Sequence, residues 1–329
     1  MPGRIYSAMR PSGRLHLGNY FGALKNWVEL QDSYECVYSV ADIHALTTIQ
    51  GEETQEILPN TREMVLDWLA AGIDPEKSIV YVQSQVPDEL ALHTLLSMVT
   101  PLGWLLRVPT FKERVRQMNE SEENVSYGLV GYPVLQTADI ILFKASAVPV
   151  GVDQAPHVEI CREIARRFNH LYGETFPEPQ VLLTKTPSIT GTDGSNKMSK
   201  SLDNQIELAA SEEETTRRVM TMVTDPQRAR RTDPGRPEVC NVYSLHHIFN
   251  PDLLQELYRQ CTTATIGCVE DKQQLADGIN RYFRPFRERR RELEARPEYV
   301  DQVLAHGAEQ ARAIARQTLV EVYQRMGLA

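Results

Sequence analysis

Hydrophobic positions in the first third of the chain alternate between strand-length runs and helical spacing. Three short apolar runs predict strands: Ile5–Met9, Cys36–Val40 and Ser78–Val82. Between them, apolar residues recur at roughly helical spacing over Gly18–Gln31. A second helix is predicted over Glu52–Ala71, kinked or restarted at Pro59 and stopped by Gly72. This order predicts an α/β fold, a Rossmann-type doubly wound parallel sheet with ligands at the carboxyl ends of its strands.

One apolar segment beyond the middle of the chain contains polar residues. Gln136 and Asp139 interrupt the apolar run Val134–Phe143. After it, the pattern predicts a strand at Val148–Val150 and a long helix over Asp153–Tyr172. These elements continue the α/β pattern.

The last part of the chain differs in character. Residues 184–204 are poor in apolar residues and rich in turn formers, which predicts a mobile surface loop. From about residue 205 to Leu328 the chain has mostly helical spacing. We therefore expect a Rossmann-type α/β domain over 1–204 and an all-helical domain over 205–329.

Composition is that of a globular enzyme. The chain has 329 residues, of which 42% are hydrophobic and 24% charged, and this length fits two domains. No run approaches the ~20 apolar residues of a membrane span, and no secretory signal is present, so we expect a cytoplasmic protein without membrane contact. The net charge of −9 does not predict a nucleic-acid partner, so any RNA would need a local basic face.

The segment Arg10–Tyr20 follows the first strand and opens a helix. Free N–H groups at a helix start favour anions, and Gly13 and Gly18 let a ligand approach the backbone closely. His16 and Asn19 add side-chain donors. The spacing is neither that of a Walker A loop nor that of a dinucleotide fingerprint. Taken alone, the segment fits a nucleotide site and an ordinary tight turn with a buried histidine equally well.

Two lysines, Lys197 and Lys200, lie on the turn-rich loop within Lys197–Ser201. A flexible segment of this kind could close over a triphosphate and neutralise the charge of departing pyrophosphate. Two isolated lysines are more often solvated, so this pair alone does not predict a site.

Taken together, His16–Asn19 and Lys197–Ser201 resemble the paired signatures of class I aminoacyl-tRNA synthetases. The chain also resembles the bacterial tryptophanyl-tRNA synthetases along most of its length. This second resemblance is carried by Pro11–Gly13, Gly18–Leu24, Asp42–Ala45, Tyr132–Leu135, Ala138–Ile140 and Pro149–Gln154. It implies an enzyme that activates L-tryptophan with ATP, accompanied by Mg²⁺, and transfers it to the 3′ end of tRNA(Trp). It also implies that the Rossmann domain over 1–204 is catalytic and that the helical domain over 205–329 binds the tRNA anticodon.

The resemblance also implies roles for individual residues. Catalytic roles at the phosphates and pyrophosphate are implied for His16, Asn19, Lys197, Lys200 and Arg114. ATP contacts are implied for Arg10, Pro11, Ser12, Gly18, Asn19, Gly151, Val152, Asp153, Ile189, Lys197, Met198, Ser199, Lys200 and Ser201. Tryptophan contacts are implied for Tyr6, His44, Tyr132, Gln136, Asp139, Val148, Val150 and Gln154.

Several of these positions depart from the family pattern. Arg10 replaces a common glutamine, Arg114 replaces lysine in many relatives, and Val152 replaces a glutamate. Gln136 is polar where some relatives carry methionine. Arginine preserves the charge of lysine but changes its geometry, so we still expect the reaction.

The chemistry of indole favours Asp139 as a recognition residue. A tryptophan pocket needs apolar walls and one acceptor, because the indole N–H only donates. Asp139 lies within an apolar run and can be that acceptor. A pocket that hydrogen-bonds a substrate N–H rejects analogues lacking it far better than apolar walls can. The alternative for Asp139 is a helix-capping or salt-bridged carboxylate. The alternative for the residues expected to line the walls of the tryptophan pocket is core packing.

A basic and aromatic cluster lies in the C-terminal helical region. It comprises Arg281, Tyr282, Phe283, Arg284, Phe286, Arg287, Arg289, Arg290 and Arg291. Such residues suit an RNA backbone and unstacked bases. The neighbouring Glu288, Glu292 and Glu294 fit a solvated helix face equally well. The resemblance, and nothing else in the sequence, implies a homodimer across which the tRNA lies.

The five cysteines are an odd number spread along the chain, which argues against a disulfide framework. Cys36 and Cys161 fit core packing. Three others resemble part of the four-cysteine set with which a branch of the family binds a [4Fe–4S] cluster: Cys240, Cys261 and Cys268. Asp271 stands in the fourth place. Because such clusters normally need four good ligands, we favour loss of the cluster over three thiolates and a weaker fourth ligand.

Two other functions are open at this stage. A tyrosyl-tRNA synthetase shares the fold, and its pocket would pair acceptors and donors for a phenol. A non-catalytic RNA-binding paralogue could lose His16, Lys197 or Lys200 without penalty, yet all three are present. The sequence therefore favours the tryptophan enzyme.

Overall fold

The computed structural model of the protein describes residues 3–109, 111–112, 115, 124–151, 154–183 and 189–329. The chain divides into two compact units. The first comprises Met1–Gly13, Asn26–Lys185 and Arg296–Ala329, and the second comprises Arg14–Lys25 and Thr186–Ala295. Residues 205–329 are thus divided between the units, and the division into functional domains at residue 204 stays a prediction.

Five parallel strands form the sheet of the first unit: β1 (Arg4–Met9), β2 (Glu35–Val40), β3 (Ser78–Val82), β4 (Ala147–Val150) and β5 (Gln180–Leu183). Their order in the sheet is β3-β2-β1-β4-β5. Since the order reverses between β1 and β4, the carboxyl ends of these two strands flank the place where a doubly wound sheet binds its ligand. The predicted Rossmann-type sheet is confirmed.

Burial explains which strands the sequence could predict. In β2, five of six residues are buried, which is typical of a central parallel strand covered on both faces. The indole of Trp27 stacks on the ring of Tyr38 in this strand, with ring centroids 4.8 Å apart. Strand β5 was not predicted, because it has only four residues and both of its ends are exposed.

Helices cover the sheet of the first unit. They are Lys25–Leu30, Asp42–Ala45, Ile57–Ala71, Pro87–Ser97, Leu102–Leu105, Tyr127–Leu142, Ala155–Tyr172 and Pro297–Arg325. The helix predicted to restart at Pro59 begins as a 3₁₀ segment, Gly51–Glu56, and becomes α-helical at Ile57. Pro59 thus lies in the first α-helical turn, where its missing N–H breaks no helical bond. Gly72, with φ of 114°, ends the helix.

The last helix, Pro297–Arg325, packs closely on strand β3. A Cβ atom added at Gly307 would lie 1.8 Å from the carbonyl oxygen of Val80. Only glycine therefore allows this approach of helix backbone to strand backbone. The C-terminal helix is thus part of the α/β layer of the first unit.

The second unit is mainly helical, as predicted for most of its length. Its elements are Leu17–Asn19, the π-helical Tyr20–Leu24, Glu212–Met220, Asn241–Phe249, Leu254–Thr262 and Cys268–Glu294, with 3₁₀ turns at Lys200–Leu202, Pro237–Val239 and Pro251–Leu253. Aromatic rings pack between the π-helical segment Tyr20–Leu24 and the helix Cys268–Glu294, where Tyr20 lies edge-on to Phe283 with ring centroids 5.0 Å apart. None of the described helices is both long and apolar enough to cross a membrane.

Candidate active site

Asp139 lies in the last turns of the helix Tyr127–Leu142 and is only 1% exposed. The amide of Gln83 donates to both carboxylate oxygens, at 2.9 Å to Oδ1 and 3.1 Å to Oδ2. His44 Nε2 lies 3.0 Å from Oδ2. The position in the helix excludes an N-cap role for Asp139. A carboxylate offers about four acceptor sites, so one further donor can still bind.

Two further buried polar residues near this site, Gln83 and Glu89, belong to no motif in the sequence. Gln83 follows the buried strand β3 directly and is itself fully buried, and its Oε1 accepts the backbone N–H of His44 at 3.2 Å. Glu89 is also fully buried and accepts the hydroxyl hydrogen of Tyr81 at 2.6 Å. A polar residue at the carboxyl end of a parallel strand is the one local signal that could have indicated Gln83.

The predicted wall residues have two kinds of surroundings. Tyr6 and Val148 are buried in the main core of the first unit, and Tyr6 stacks on Phe143 with centroids 5.7 Å apart. Tyr132, Gln136, Val150 and Gln154 are partly exposed. Tyr132, Gln136 and Asp139 follow one another at helical spacing, so they lie on one face of their helix. The residues predicted to contact tryptophan thus include two in the core and four that are partly exposed.

Tyr132 is held by a second buried histidine. Its hydroxyl lies 2.9 Å from Nε2 of His157, on the helix Ala155–Tyr172. Gln154 stands immediately before that helix, as its N-terminal cap residue. The predicted contacts on these two helices are thus brought close together by helix packing within one unit.

Part of the predicted ATP site lies at the carboxyl ends of β1 and β4. Arg10, Pro11 and Ser12 follow β1, and the Arg10 guanidinium donates to the Thr48 hydroxyl at 2.8 Å. Gly151 follows β4. Both segments end neighbouring strands at the reversal of strand order, as ligand binding in such a sheet requires. Three further predicted residues lie outside the described residues: Arg114, Val152 and Asp153.

In the second unit, hydrogen bonds to the backbone fix the segment His16–Asn19. The N–H of Leu17 donates to Ile206 O at 3.0 Å, and Leu208 N donates to Leu15 O at 2.9 Å. Asn19 Oδ1 accepts the His16 N–H at 3.1 Å, so this oxygen holds the turn closed. These bonds fix the start of the helix.

Gly18 makes room for the imidazole of His16. A Cβ atom at position 18 would lie 3.0 Å from both Cε1 and Nδ1 of His16. Real Cβ contacts are rarely this short, so any larger residue would displace the ring. Among the described residues, Nδ1 of His16 has no hydrogen-bond partner, although it is buried. The ring thus retains a polar atom able to bond to a ligand.

The loop that carries Lys197 and Lys200 is held in place, in its described part, by apolar and polar contacts. Met198 and Ile189 are each 3% exposed, and the Met198 N–H donates to Ile189 O at 2.9 Å. Asn204 Oδ1 accepts the Ser199 N–H at 2.7 Å, and the hydroxyls of Ser199 and Ser201 lie 2.7 Å apart. The loop therefore has a defined conformation near the two lysines.

The charges of Lys197 and Lys200 act on His16. Burial, then Lys200 and then Lys197, lower the pKa of His16 to about 4. His16 is therefore neutral near pH 7, and the positive charge of this site comes from the two ammonium groups. The fold thus brings the two sequence signatures together within the second unit.

Two features of the cysteine cluster disagree with an iron–sulfur site. The Arg228 guanidinium lies 3.7 Å from the sulfurs of both Cys261 and Cys268. Asp271, in the place of a fourth ligand, is 3.1 Å from Nε2 of the buried His246. No group of three or more His, Cys, Asp or Glu side chains among the described residues is arranged to hold a metal ion. With three thiols and an engaged carboxylate, the donor set does not fit a [4Fe–4S] cluster.

Some arginines of the basic and aromatic cluster form hydrogen bonds or ion pairs within the second unit. Arg287 donates to Asn280 Oδ1 and Thr215 Oγ1, at 2.8 and 2.7 Å, and Arg290 is buried beside Glu294. Arg281 donates to Asn250 Oδ1 at 2.8 Å. The remaining arginines of the cluster are exposed: Arg284, Arg289 and Arg291. Any RNA contact by this cluster would therefore rest mainly on these three.

Comparison with known proteins defines the class. The family model of class I tRNA synthetases (W and Y) matches residues 1–284. The chain belongs to this family. It is therefore an aminoacyl-tRNA synthetase, and it uses ATP as the family does.

Full-length relatives narrow the class further. A curated tryptophan–tRNA ligase of Thermotoga maritima is 47% identical, with 99% of each chain covered. One of Aquifex aeolicus is 40% identical over 99% of this chain and all of its own. The crystal structure of tryptophanyl-tRNA synthetase from Campylobacter jejuni, complexed with ADP and tryptophan, has a TM-score of 0.88 and 35% identity, and 99% of this chain and 100% of that chain are covered.

Proposed function

We propose that the protein is a tryptophan–tRNA ligase. It activates L-tryptophan with ATP to tryptophanyl-adenylate and pyrophosphate, then transfers tryptophan to the 3′ end of tRNA(Trp). The observation that carries this proposal is the buried Asp139 carboxylate, which two neighbouring side chains orient and which can accept one further hydrogen. The full-length similarity to tryptophan–tRNA ligases supports it.

Recognition of the amino acid takes place in the first unit. The indole N–H donates to Asp139, while Tyr6, Val148 and the helix face of Tyr132 supply apolar contacts. Gln154 and His44 supply polar contacts, and Gln154 binds the polar end of the amino acid. Because Gln83 and His44 already orient the carboxylate, little freedom is lost when the substrate binds.

Activation needs no general base, because the attacking tryptophan carboxylate is already ionised at neutral pH. Catalysis then rests on positioning and on stabilising charge at the α-phosphorus and the leaving pyrophosphate. Neutral His16 holds phosphate oxygens, and Lys197 and Lys200 stabilise pyrophosphate. Asp153 and Arg114 contribute to the ribose and pyrophosphate, and Mg²⁺ enters bound to ATP.

The same proposal extends to the partners. Residues 205–295 bind the anticodon part of tRNA(Trp) with the exposed Arg284, Arg289 and Arg291. The protein acts as a homodimer in the cytoplasm, where tRNA is charged. The first unit exposes Met98, Leu102 and Tyr127, which a second copy would cover.

The test is amino-acid-dependent ATP–pyrophosphate exchange with tryptophan and tyrosine measured side by side. Exchange with tryptophan alone supports the proposal. Exchange with tyrosine would move the protein to the tyrosyl enzymes, which are in the same family. Exchange with neither, in the presence of tRNA, would point to a paralogue that binds RNA without catalysis.

A further inference from the structure

The guanidinium group of Arg228 joins two cysteines of the second unit. Its Nη1 donates to the sulfurs of both Cys261 and Cys268, each at 3.7 Å. Its Nη2 donates to the carbonyl oxygens of Ile266 at 2.6 Å and of Arg231 at 3.1 Å. Each terminal nitrogen carries two hydrogens, so all four of these hydrogens have an acceptor.

The guanidinium group is enclosed by the protein. Nε of Arg228 is buried, with no hydrogen-bond partner among the described residues. A Cβ atom at Gly235 would lie 2.4 Å from the sulfur of Cys261 and 3.3 Å from Cδ of Arg228, and the Gly235 N–H donates to Cys261 O at 2.9 Å. The backbone at Gly235 therefore closes on Cys261 and Arg228 together, and a larger residue there would push them away.

Asp225 fixes the loop that carries Arg228. This buried carboxylate accepts from Nε and Nη2 of Arg236, at 3.1 and 2.5 Å, and from the backbone N–H of Arg236 at 3.0 Å. It also accepts the Gln227 N–H at 2.9 Å. These bonds join the two ends of the segment 225–236, so Arg228 reaches the cysteines from a loop of defined shape.

The contacts of Arg228 join three segments of the second unit. These are the loop 225–236, the end of the helix Leu254–Thr262 with Cys261, and the start of the helix Cys268–Glu294. A cluster bound by these cysteines would join them through metal–thiolate bonds, and such bonds need deprotonated sulfur. Burial instead raises the pKa of Cys261, which favours its thiol form. A nitrogen in contact with both sulfurs also lies where a metal ion that bridges them would lie.

We propose that Arg228 takes the structural place of a metal centre in this chain: its guanidinium joins the loop 225–236 to two helix ends and keeps an iron–sulfur cluster out. The protein then folds without iron and in the presence of oxygen. The inference concerns contacts within the second unit and does not depend on the proposed reaction.

The first experiment offers ferrous iron and sulfide, without oxygen, to the unaltered protein and to three variants. The first variant is Asp271→Cys, which supplies a fourth thiol while Arg228 remains. The second combines Arg228→Ala with Asp271→Cys. The third combines Arg228→Ala with Asp271→Ser, which loses the same contacts but offers no fourth thiol, so it is the matched control. Bound iron, acid-labile sulfide and visible absorbance are measured per chain.

We expect about four iron atoms per chain in Arg228→Ala with Asp271→Cys, and none in the other three proteins, because a cluster needs four good ligands and open space between them. A cluster in the unaltered protein or in Asp271→Cys would overturn the proposal, since the guanidinium would then not exclude it. Failure of the folded Arg228→Ala, Asp271→Cys protein to take up iron would overturn it as well.

Thermal unfolding without iron tests the contacts of Arg228 directly. Arg228→Ala should lower Tm by about 5 °C or more. Arg228→Lys should recover little of this loss, because an ammonium group cannot reproduce the forked donors of a guanidinium. Arg230→Ala changes an exposed side chain of the same loop and should leave Tm unchanged. An unchanged Tm in Arg228→Ala would refute the proposal even if the variants with two substitutions do not fold.

Discussion

His44 Nε2 lies 3.0 Å from Asp139 Oδ2, and both side chains are buried. His44 follows strand β2, whereas Asp139 lies on the helix Tyr127–Leu142, so the contact joins two elements that are far apart in the chain. Together with the Gln83 amide it fixes the direction in which the carboxylate can accept another hydrogen. The specificity of the proposed reaction depends on this fixed direction.

Replacing Asp139 by asparagine should weaken tryptophan selectively. The new amide group offers one acceptor fewer and introduces a donor opposite the indole N–H. We expect the KM for tryptophan to rise about 10- to 100-fold in exchange assays while the KM for ATP stays within about twofold. Asp301→Asn, which removes an exposed partner of Arg62, serves as the control and should change neither. An equal loss for both substrates would contradict the assigned role.

Gly18 and Gly22 offer a matched pair of alanine substitutions. A Cβ atom at position 18 meets the His16 ring at 3.0 Å, whereas at position 22 nothing lies within 4 Å. Because the displaced ring no longer contacts phosphate correctly, Gly18→Ala should lower kcat/KM for ATP about tenfold or more. Gly22→Ala should leave it unchanged. If both variants retain full activity, His16 does not need its observed position.

The lowered pKa of His16 predicts how stability depends on pH. The folded protein releases this proton at about pH 4, whereas the unfolded chain does so near 6.5. Between these values the unfolded state binds more protons, so stability should rise with pH, by up to about 3 kcal/mol from this group. Urea unfolding from pH 4 to 7 should show a steeper rise for the unaltered protein than for His16→Gln. Parallel curves would be inconsistent with a buried, neutral His16.

Gly307 tests the packing of the C-terminal helix on the sheet. A Cβ atom there would lie 1.8 Å from Val80 O, so Gly307→Ala must separate helix and strand. We expect a loss of about 1–3 kcal/mol or more in the free energy of unfolding. Gly103→Ala, where nothing lies within 4 Å, should have little effect, and calorimetry of both variants decides the point.

Much of the fold could be predicted from periodicity. The runs that became β1, β2 and β3 are apolar because central parallel strands are covered on both faces. Strand β5 gave no such signal, because Gln180 and Leu183 at its ends are exposed. The position of the C-terminal helix on β3 could not be predicted either, because it depends on a contact between residues more than two hundred positions apart.

The candidate site was predictable only in part. Asp139 was indicated because a charged residue in an apolar run needs a reason to be buried. Gln83 and Glu89 carried no comparable local pattern, since polar residues after a strand usually belong to a turn. The position of Gln83 depends on packing that brings it to Asp139, which lies 56 residues away in the chain.

The most direct test of the central claim is the complete reaction, measured as charging of a tRNA(Trp) transcript by the purified protein. With ATP and Mg²⁺ present, tryptophan should be esterified to the transcript, tyrosine should not, and Asp139→Asn should charge it only at much higher tryptophan concentration. Charging with tyrosine, or equal charging by the unaltered protein and Asp139→Asn, would contradict the account.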